Sequence, residues 1–374
     1  MFGRWKEAAL QDQVDAYEAD SIVRAWNRAC EGAGLVRTVD TVTGPTVIPP
    51  AVTFVVLGPP RRLTVRLQPG MTAQDIRAAA ARLAPHLGAY SLRVEPRGLG
   101  EWVIVTLLDS DPLGDVYPLP GPAEDFDAPI VIARDEDGNR VAEAVSRTGH
   151  IVVQGSTGSG KSAWLYAFLS QLSDRNRAGF PLTIGGIDPS GILLRPFESG
   201  SLLGLKDPDA IERFLSEAVA KMDNRVASIP HDKDVLDITP EFPLLFLVLE
   251  EYPGLLRWLD ALDAKQAKRV RALVARLLSE GRKAGFRLVL VAQRAEAGII
   301  GANERAQCSL RLSFRVDNLD AVRLLHTDAD TETAARHSSE VPGVALLSAP
   351  GRPLSRVRGP WVGGYAEYVS RVAA

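Results

Sequence analysis

The chain of 374 residues has only two cysteines, Cys30 and Cys308, far apart in sequence and in no metal-ligand spacing. Neither a disulfide framework nor a zinc site is expected, and a reducing cytosolic compartment is the default. Long apolar runs are also missing. The longest near the centre, Leu244 to Leu249, is far too short to span a bilayer. The N-terminal stretch MFGRWKEAALQDQVDAYEAD has no apolar core of the signal-peptide kind. These absences predict a soluble, cytoplasmic chain. Nor is there a large excess of one charge: the formal net charge of −3 gives no general attraction to polyanions, so any nucleic-acid contact has to come from a local basic surface. What is present is ordinary globular material, 46% hydrophobic and 24% charged, which argues against disorder. The length suits about two domains.

Against this background stands Ile151 to Ser162, IVVQGSTGSGKS. A β-branched run breaks into a glycine-rich turn and enters a helical pattern, KSAWLYAFLSQL. The segment Gly155, Ser156, Thr157, Gly158, Ser159, Gly160, Lys161, Ser162 fits G-x-x-x-x-G-K-[ST] in the strand-then-helix context that the motif needs. A loop without bulky side chains can aim successive backbone N–H groups at an anion beside a helix N-terminus. Lys161 is positioned to neutralise the β- and γ-phosphates of a nucleoside triphosphate such as ATP, and the Ser162 hydroxyl to sit on Mg²⁺.

Residues 1 to about 30 read as one helix, with Leu10, Val14, Tyr17, Ile22, Val23 and Trp26 near helical spacing and Gly32-Ala-Gly34 as its stop. As an arm (1–43) it either packs on the rest or docks another chain. A small α+β domain follows (44–110), with a helix from Thr72 to about Ala84 that opens on a capping box and ends at Pro85. The Pro/Gly/Asp-rich stretch 111–128 reads as a linker. From 129 to 374, strands alternate with longer helices, as a parallel sheet requires. LTIGGID ends in Asp188-Pro189. Asp207-Pro208 caps a helix to about Ser228. A helix over about Asp263 to Ala284 carries Val270, Leu273, Val274, Leu277 and Leu278 on one face. Lys265, Lys268, Arg269, Arg271, Arg276, Arg282 and Lys283 mark its other face and end. That basic side is either a solvated face or a nucleic-acid or subunit contact.

A phosphate loop needs a partner carboxylate, because Mg²⁺ is too strongly charged to be held by one hydroxyl and the phosphates alone. The apolar strand LLFLVLEE ends in two. Glu251 is the candidate for polarising the attacking water, and Glu250 stands at the metal side, where its extra methylene must fold back or act through water. Gln293 ends the next apolar strand, RLVLVAQR, as a candidate sensor of the terminal phosphate. Arg311, Arg315 and Arg323 are the candidates for an arginine supplied to a neighbouring subunit.

With these residues in place, the C-terminal two-thirds resembles the motor domain of FtsK/SpoIIIE-type DNA translocases, including transfer ATPases of actinobacterial conjugative plasmids. The resemblance lies in an ordered series: VVQGSTGSGKS, IDPSG, LLFLVLEEYPGLL, GRKAGFRLVLVAQR, LRLSFRV, and GVALLSAPG before VRGPWV. It implies a RecA-like P-loop NTPase fold with a mainly parallel sheet, acting as a homo-hexamer around double-stranded DNA and driven by ATP hydrolysis. It puts Lys161 and Ser162 on the family's phosphate-loop residues, Glu251 on its catalytic Glu and Gln293 on its sensor Gln. Gly298 to Ala306 falls in a region that approaches DNA. The chain departs from the family pattern at Glu250, where the family has Asp, and after Arg323, where a glycine-rich pattern is usual. Membrane attachment is then expected either through a separate anchoring protein or not at all. The same family includes protein-secretion motors, and Glu250 keeps open a nucleotide-binding assembly role with little hydrolysis.

Overall fold

The computed structural model describes residues 2–42, 44–123, 125 and 128–374; for residues 2–13 and 332 only the backbone is described, so the side chain of Leu10 and part of the expected linker lie outside it. Two compact units are present, Met1–Asp115 and Val116–Ala374.

The first unit runs α1 (Phe2–Gly32), β1 (Arg37–Thr41), β2 (Gly44–Ile48), β3 (Ala51–Val56), β4 (Arg62–Arg66), α2 (Ala73–Leu83), β5 (Ser91–Arg97) and β6 (Trp102–Leu108). β1 and β2 form an antiparallel hairpin that the sequence reading did not anticipate. The other four strands make an antiparallel sheet in the order β3-β4-β6-β5. Alternate residues Leu63, Val65, Val94, Val103, Val105 and Leu107 point to one side and pack with Ile76, Ala79 and Leu83 of α2. The second half of α1 joins this core through Ile22, Trp26, Ala29 and Cys30. Trp26 is fully buried, and its indole N–H donates to the Pro50 carbonyl at 2.9 Å. At the start of α2, the Thr72 N–H donates to Asp75 at 2.7 Å, the expected capping contact.

The second unit begins with β7 (Tyr117–Pro118), β8 (Ile130–Asp135), β9 (Arg140–Glu143), β10 (His150–Gln154), α3 (Lys161–Arg177), β11 (Leu182–Asp188) and β12 (Ser201–Leu203). It continues through α4 (Pro208–Ala227), β13 (Leu244–Leu249), α5 (Tyr252–Leu262), α6 (Ala264–Glu280), β14 (Phe286–Ala292), α7 (Ala302–Gln307) and β15 (Cys308–Phe314). It closes with α8 (Leu319–Leu325), α9 (Thr331–His337), β16 (Val344–Ser348), β17 (Ser355–Arg358), β18 (Pro360–Trp361) and α10 (Tyr365–Ala373). Ten strands form one sheet in the order β12-β11-β13-β14-β10-β15-β16-β17-β8-β9. From β12 to β15 every pairing is parallel, giving the α/β, RecA-like core; β16, β17, β8 and β9 extend it antiparallel.

The strand residues alternate between two cores. Ile151, Val153, Phe246, Val248, Val289 and Val291 pack with Trp164, Phe168 and Leu172 of α3. Val152, Leu245, Leu247, Leu249, Leu288 and Leu290 pack with α4, α5 and α6. A sheet covered on both faces explains why these strands read as unbroken apolar runs.

Two sequence expectations change here. The strand PIVIAR and the turn at Asp135 to Asn139 are where the sequence puts them, but the turn closes an antiparallel hairpin, β8–β9, at the edge of the sheet instead of joining its parallel part, because so short a turn cannot return parallel. The single helix expected over Asp263 to Ala284 ends at Glu280 in a 3-10 turn, and a separate helix, α5, precedes it, with Asp263 as the cap between the two. In α6, Val270, Val274, Leu277 and Leu278 are buried as expected, while Leu273 is partly buried.

Replacing Trp26 by Ala removes a large buried side chain and leaves the Pro50 carbonyl without its donor, so urea unfolding of the first unit should show a loss of about 3–5 kcal/mol. A second expectation concerns acid. His150 is buried and its Nδ1 accepts from the Leu288 N–H at 2.9 Å, so the ring must be neutral there; burial, then the Arg287 charge, pushes its pKa down to about 4. His326, against Ser348, is pushed down to about 3, chiefly by burial. Below pH 6.5 the unfolded chain takes up these protons and the folded one does not. Each histidine should therefore contribute a loss of about 2 kcal/mol on going from about pH 7 to pH 5, read as the difference in the pH dependence of urea unfolding between the parent chain and a variant lacking that histidine.

Candidate functional site

The centre of the site is fixed by strand order. β10 lies between β14 and β15, so the loop leaving its carboxyl end enters the crevice where ligands of such sheets bind. The loop is held on both sides by backbone. The Gly155 N–H donates to the Ala292 carbonyl at 3.2 Å, and the Ser156 N–H to the Arg315 carbonyl at 2.9 Å. On its far side the Gly343 N–H donates to the Ser159 carbonyl at 2.8 Å. This explains why glycine is needed at Gly160: φ is +99°, and a Cβ there would lie 2.4 Å from the Gly343 nitrogen. At Gly155 a Cβ would meet Ser159 Oγ at 2.5 Å and Phe314 Cβ at 2.8 Å. Thr157, Gly158 and Ser162 are exposed on the open side of the loop, while Ser159 is buried and its hydroxyl has no partner among the described residues.

Lys161 begins α3 and is buried. Its Nζ donates to the Ala292 carbonyl at 3.2 Å and stands 3.9 Å from Glu251 Oε2. Burial holds its ammonium below the usual range, and the charges of Glu251 and Glu250 oppose that shift. Glu251 is the single described non-glycine residue with positive φ, at 47°, and it caps α5. A strained backbone at this point stores about 1–3 kcal/mol and turns the carboxylate back toward the lysine.

Glu250 follows the end of β13 and is half-buried, its N–H donating to the Ile187 carbonyl at 2.9 Å. Burial first, then the charge of Asp188, pushes its carboxyl up to about 7 against the pull of Lys161. Asp188 itself is fully buried and occupied. Oδ1 accepts from the Ser190 and Gly191 N–H groups and the Ser190 hydroxyl, and Oδ2 from the Leu194 N–H at 2.9 Å. It therefore shapes the loop after β11 and acts on the site through its charge. An oxygen cation suits this set: the exposed Ser162 hydroxyl and the Glu250 carboxylate are hard donors, and positive charge would relieve the crowding of Glu250 by Asp188 and Glu251. Among the described residues no cluster of three or more His, Cys, Asp or Glu forms a cage, so a Mg²⁺ here would draw its other ligands from phosphate and water.

Gln293 is exposed just past β14, in a cleft of about 420 Å³ lined by Ser156, Thr157, Glu251, Pro253, Arg257, Gln293, Arg294, Glu296 and Asp317. Glu251, Gln293 and the phosphate loop thus share one opening. Arg257 and Arg294 line it too, paired with Glu296 and Asp317, and sequence reasoning missed both. Only the adjacency of Arg294 to Gln293 could have flagged either. The expected trans arginines are all engaged within the chain: Arg311 with the Cys308 and Leu325 carbonyls, Arg315 with the Glu340 carbonyl, Arg323 with the Thr331 hydroxyl.

Two arginines on the basic side of α6 pair with acids of α4, while Arg271 donates to the Gly298 carbonyl at 3.0 Å. Arg269 meets Glu212 through two hydrogen bonds, at 2.6 and 2.9 Å, and Arg276 meets Asp223 at 2.8 Å and Glu280 at 3.2 Å. Arg287 is buried, donating to the Arg282, Phe286 and Ser146 carbonyls, and is no part of a surface patch. Lys265, Lys268 and Lys283 remain exposed.

Because Gly160 faces backbone, Gly160→Ala should displace the loop from Gly343; retention of ATPγS in equilibrium dialysis should drop by at least about tenfold while the far-UV spectrum is kept.

No family model matches the chain. Among curated proteins it is similar to the DNA translocase FtsK of Corynebacterium glutamicum, 23% identical over 293 residues, covering 71% of this chain and 31% of that protein. It is similar to that of Mycobacterium leprae, 26% identical over 306 residues, covering 75% and 36%. It is also similar to the transfer protein TraSA of Streptomyces ambofaciens, 26% identical over 321 residues, covering 80% and 75%. The chain spans about a third of the length of these FtsK proteins. Among solved structures its fold matches the pCW3 conjugation coupling protein TcpA in a monomer form with ATPγS, at a TM-score of 0.60 and 16% identity, over 94% of this chain and 98% of that one. It also matches the cytoplasmic domain of the type VII secretion ATPase EccC of Thermomonospora curvata, at 0.51 and 20%, over 71% and 33%. In sequence the chain is thus similar to FtsK-type DNA translocases and the transfer protein TraSA, and in fold it is similar to TcpA.

Proposed function

We propose that the chain is an ATP-driven motor that moves double-stranded DNA, in the conjugative transfer of a plasmid or integrative element, and that it works as a homo-hexamer. The observation that carries the reading is the meeting of Lys161 with Glu251 at 3.9 Å beside the loop, in a cleft shared with Gln293. The similarity to TraSA, extending over most of both chains, supports the transfer role.

In this reading the N–H groups from Gly158 to Lys161 cradle the phosphates, and Lys161 turns from the Ala292 carbonyl to their charge. Ser162 and Glu250 hold Mg²⁺, which when bound neutralises charge on the phosphate oxygens. Glu251 accepts a proton from the attacking water, or orients it, and Gln293 stands by the terminal phosphate. A second cavity, of about 200 Å³, opens beside Gly160 and Ala163 between Trp164, Pro342, Arg358 and Trp361, and suits the base. Arg311, Arg315 and Arg323 stay the arginines to test for action between subunits, and Arg257 and Arg294, which face the cleft, are to be tested for action within it. A membrane-anchoring partner belongs to the same proposal.

A polypeptide substrate is the second reading, supported by the fold likeness to EccC. Linear duplex DNA at low salt should raise the steady-state ATPase rate, since phosphate contacts are strongest there. Lys161→Ala should abolish turnover, and Glu251→Gln should keep ATP retention while lowering kcat by at least about a hundredfold. Turnover that duplex leaves unchanged would overturn the DNA reading in favour of a polypeptide. Retention of ATP without turnover in the unsubstituted chain would leave an assembly protein.

A further inference from the structure

Gln154 stands at the last position of β10, immediately before the phosphate loop, and is fully buried. The three residues before it, Ile151, Val152 and Val153, are the apolar residues that a doubly covered strand wants. An amide at the same depth is costly unless its donors and acceptor are satisfied. Here they are satisfied by three separate elements. Nε2 donates to Ser313 Oγ of β15 at 2.8 Å and to the Ala321 carbonyl of α8 at 3.0 Å, and Oε1 accepts from the Ala295 N–H at 2.8 Å.

The last of these matters for the site. Ala292 is already pinned to the loop, since its carbonyl accepts from the Gly155 N–H and from Lys161 Nζ, each at 3.2 Å. Ala295 is pinned by Gln154. Gln293 and Arg294 form the short span between those two pins, and both face the cleft. Both anchors belong to the same strand-to-loop junction, so the span cannot move relative to the phosphate loop without breaking one of them.

We propose that Gln154 is a positioning residue for nucleotide hydrolysis, fixing the Gln293 segment, together with α8, in register with the phosphate loop. The proposal rests on the hydrolytic reading above, yet the pin itself can be measured without turnover.

The test compares Gln154→Met, which keeps length and burial but loses every bond, with Ser313→Ala, which removes one partner and leaves the Ala295 contact. In the full chain, Gln154→Met should lower kcat for ATP about tenfold, with KM and ATPγS retention within about twofold, and Ser313→Ala should leave all three near the parent values. Amide exchange read with ATPγS bound should lose protection over 293–296 in Gln154→Met and keep it in Ser313→Ala. Equal exchange in both variants, or an equal fall in kcat and rise in KM in both, would reduce Gln154 to a packing residue. A parent chain that retains ATPγS and hydrolyses nothing would end the hydrolytic reading, while the exchange comparison would still decide the pin.

Discussion

The structure depends on a close approach of backbone to backbone. The phosphate loop is clamped between the ends of β14 and β15 and the turn before β16, through Gly155 to Ala292, Ser156 to Arg315 and Gly343 to Ser159. Two glycines meet where Gly160 passes Gly343, and no side chain fits between them. Because these bonds join the loop to three strands, the loop's shape is set by the sheet, and its exposed N–H groups need little reorganisation to receive an anion.

Charge is arranged around that rigid loop with a deliberate shortage of cations. Asp188, Glu250 and Glu251 act on one another, with Lys161 as the cation drawn toward them, and Glu250 accordingly titrates near neutrality. Asp188 is solvated by backbone donors and not paired with a cation there, so its charge is felt by Glu250. A site short of positive charge, with a hydroxyl and a carboxylate open to it, offers the donors that a divalent cation would take.

Elsewhere part of the charge that looked free in sequence is paired within the chain. Of the arginines of α6 that looked available in sequence, Arg269 and Arg276 are held by Glu212, Asp223 and Glu280, while Arg271 donates to the Gly298 carbonyl. His150, His326 and His337 are buried, and Arg287 sits among carbonyls. What the cleft does present are Arg257 and Arg294, brought there by α5 and by the turn after β14.

The sequence by itself determined the phosphate loop, the apolar strands and their terminal acids, and the order of the motifs, because each is a local pattern in which spacing and residue type are read along one strand or one turn. It also determined the capped start of α2 and the apolar face of α6. It did not reveal α5, the β1–β2 hairpin or the antiparallel half of the large sheet, whose existence depends on short turns and on neighbours far along the chain. Tertiary structure alone decided that Glu251 would turn through a left-handed backbone toward Lys161, that Asp188 would be occupied, and that Gln154 would reach three elements at once. Those contacts join residues up to 167 positions apart, as from Gln154 to Ala321, and no periodicity within a segment records which distant strand will lie beside it.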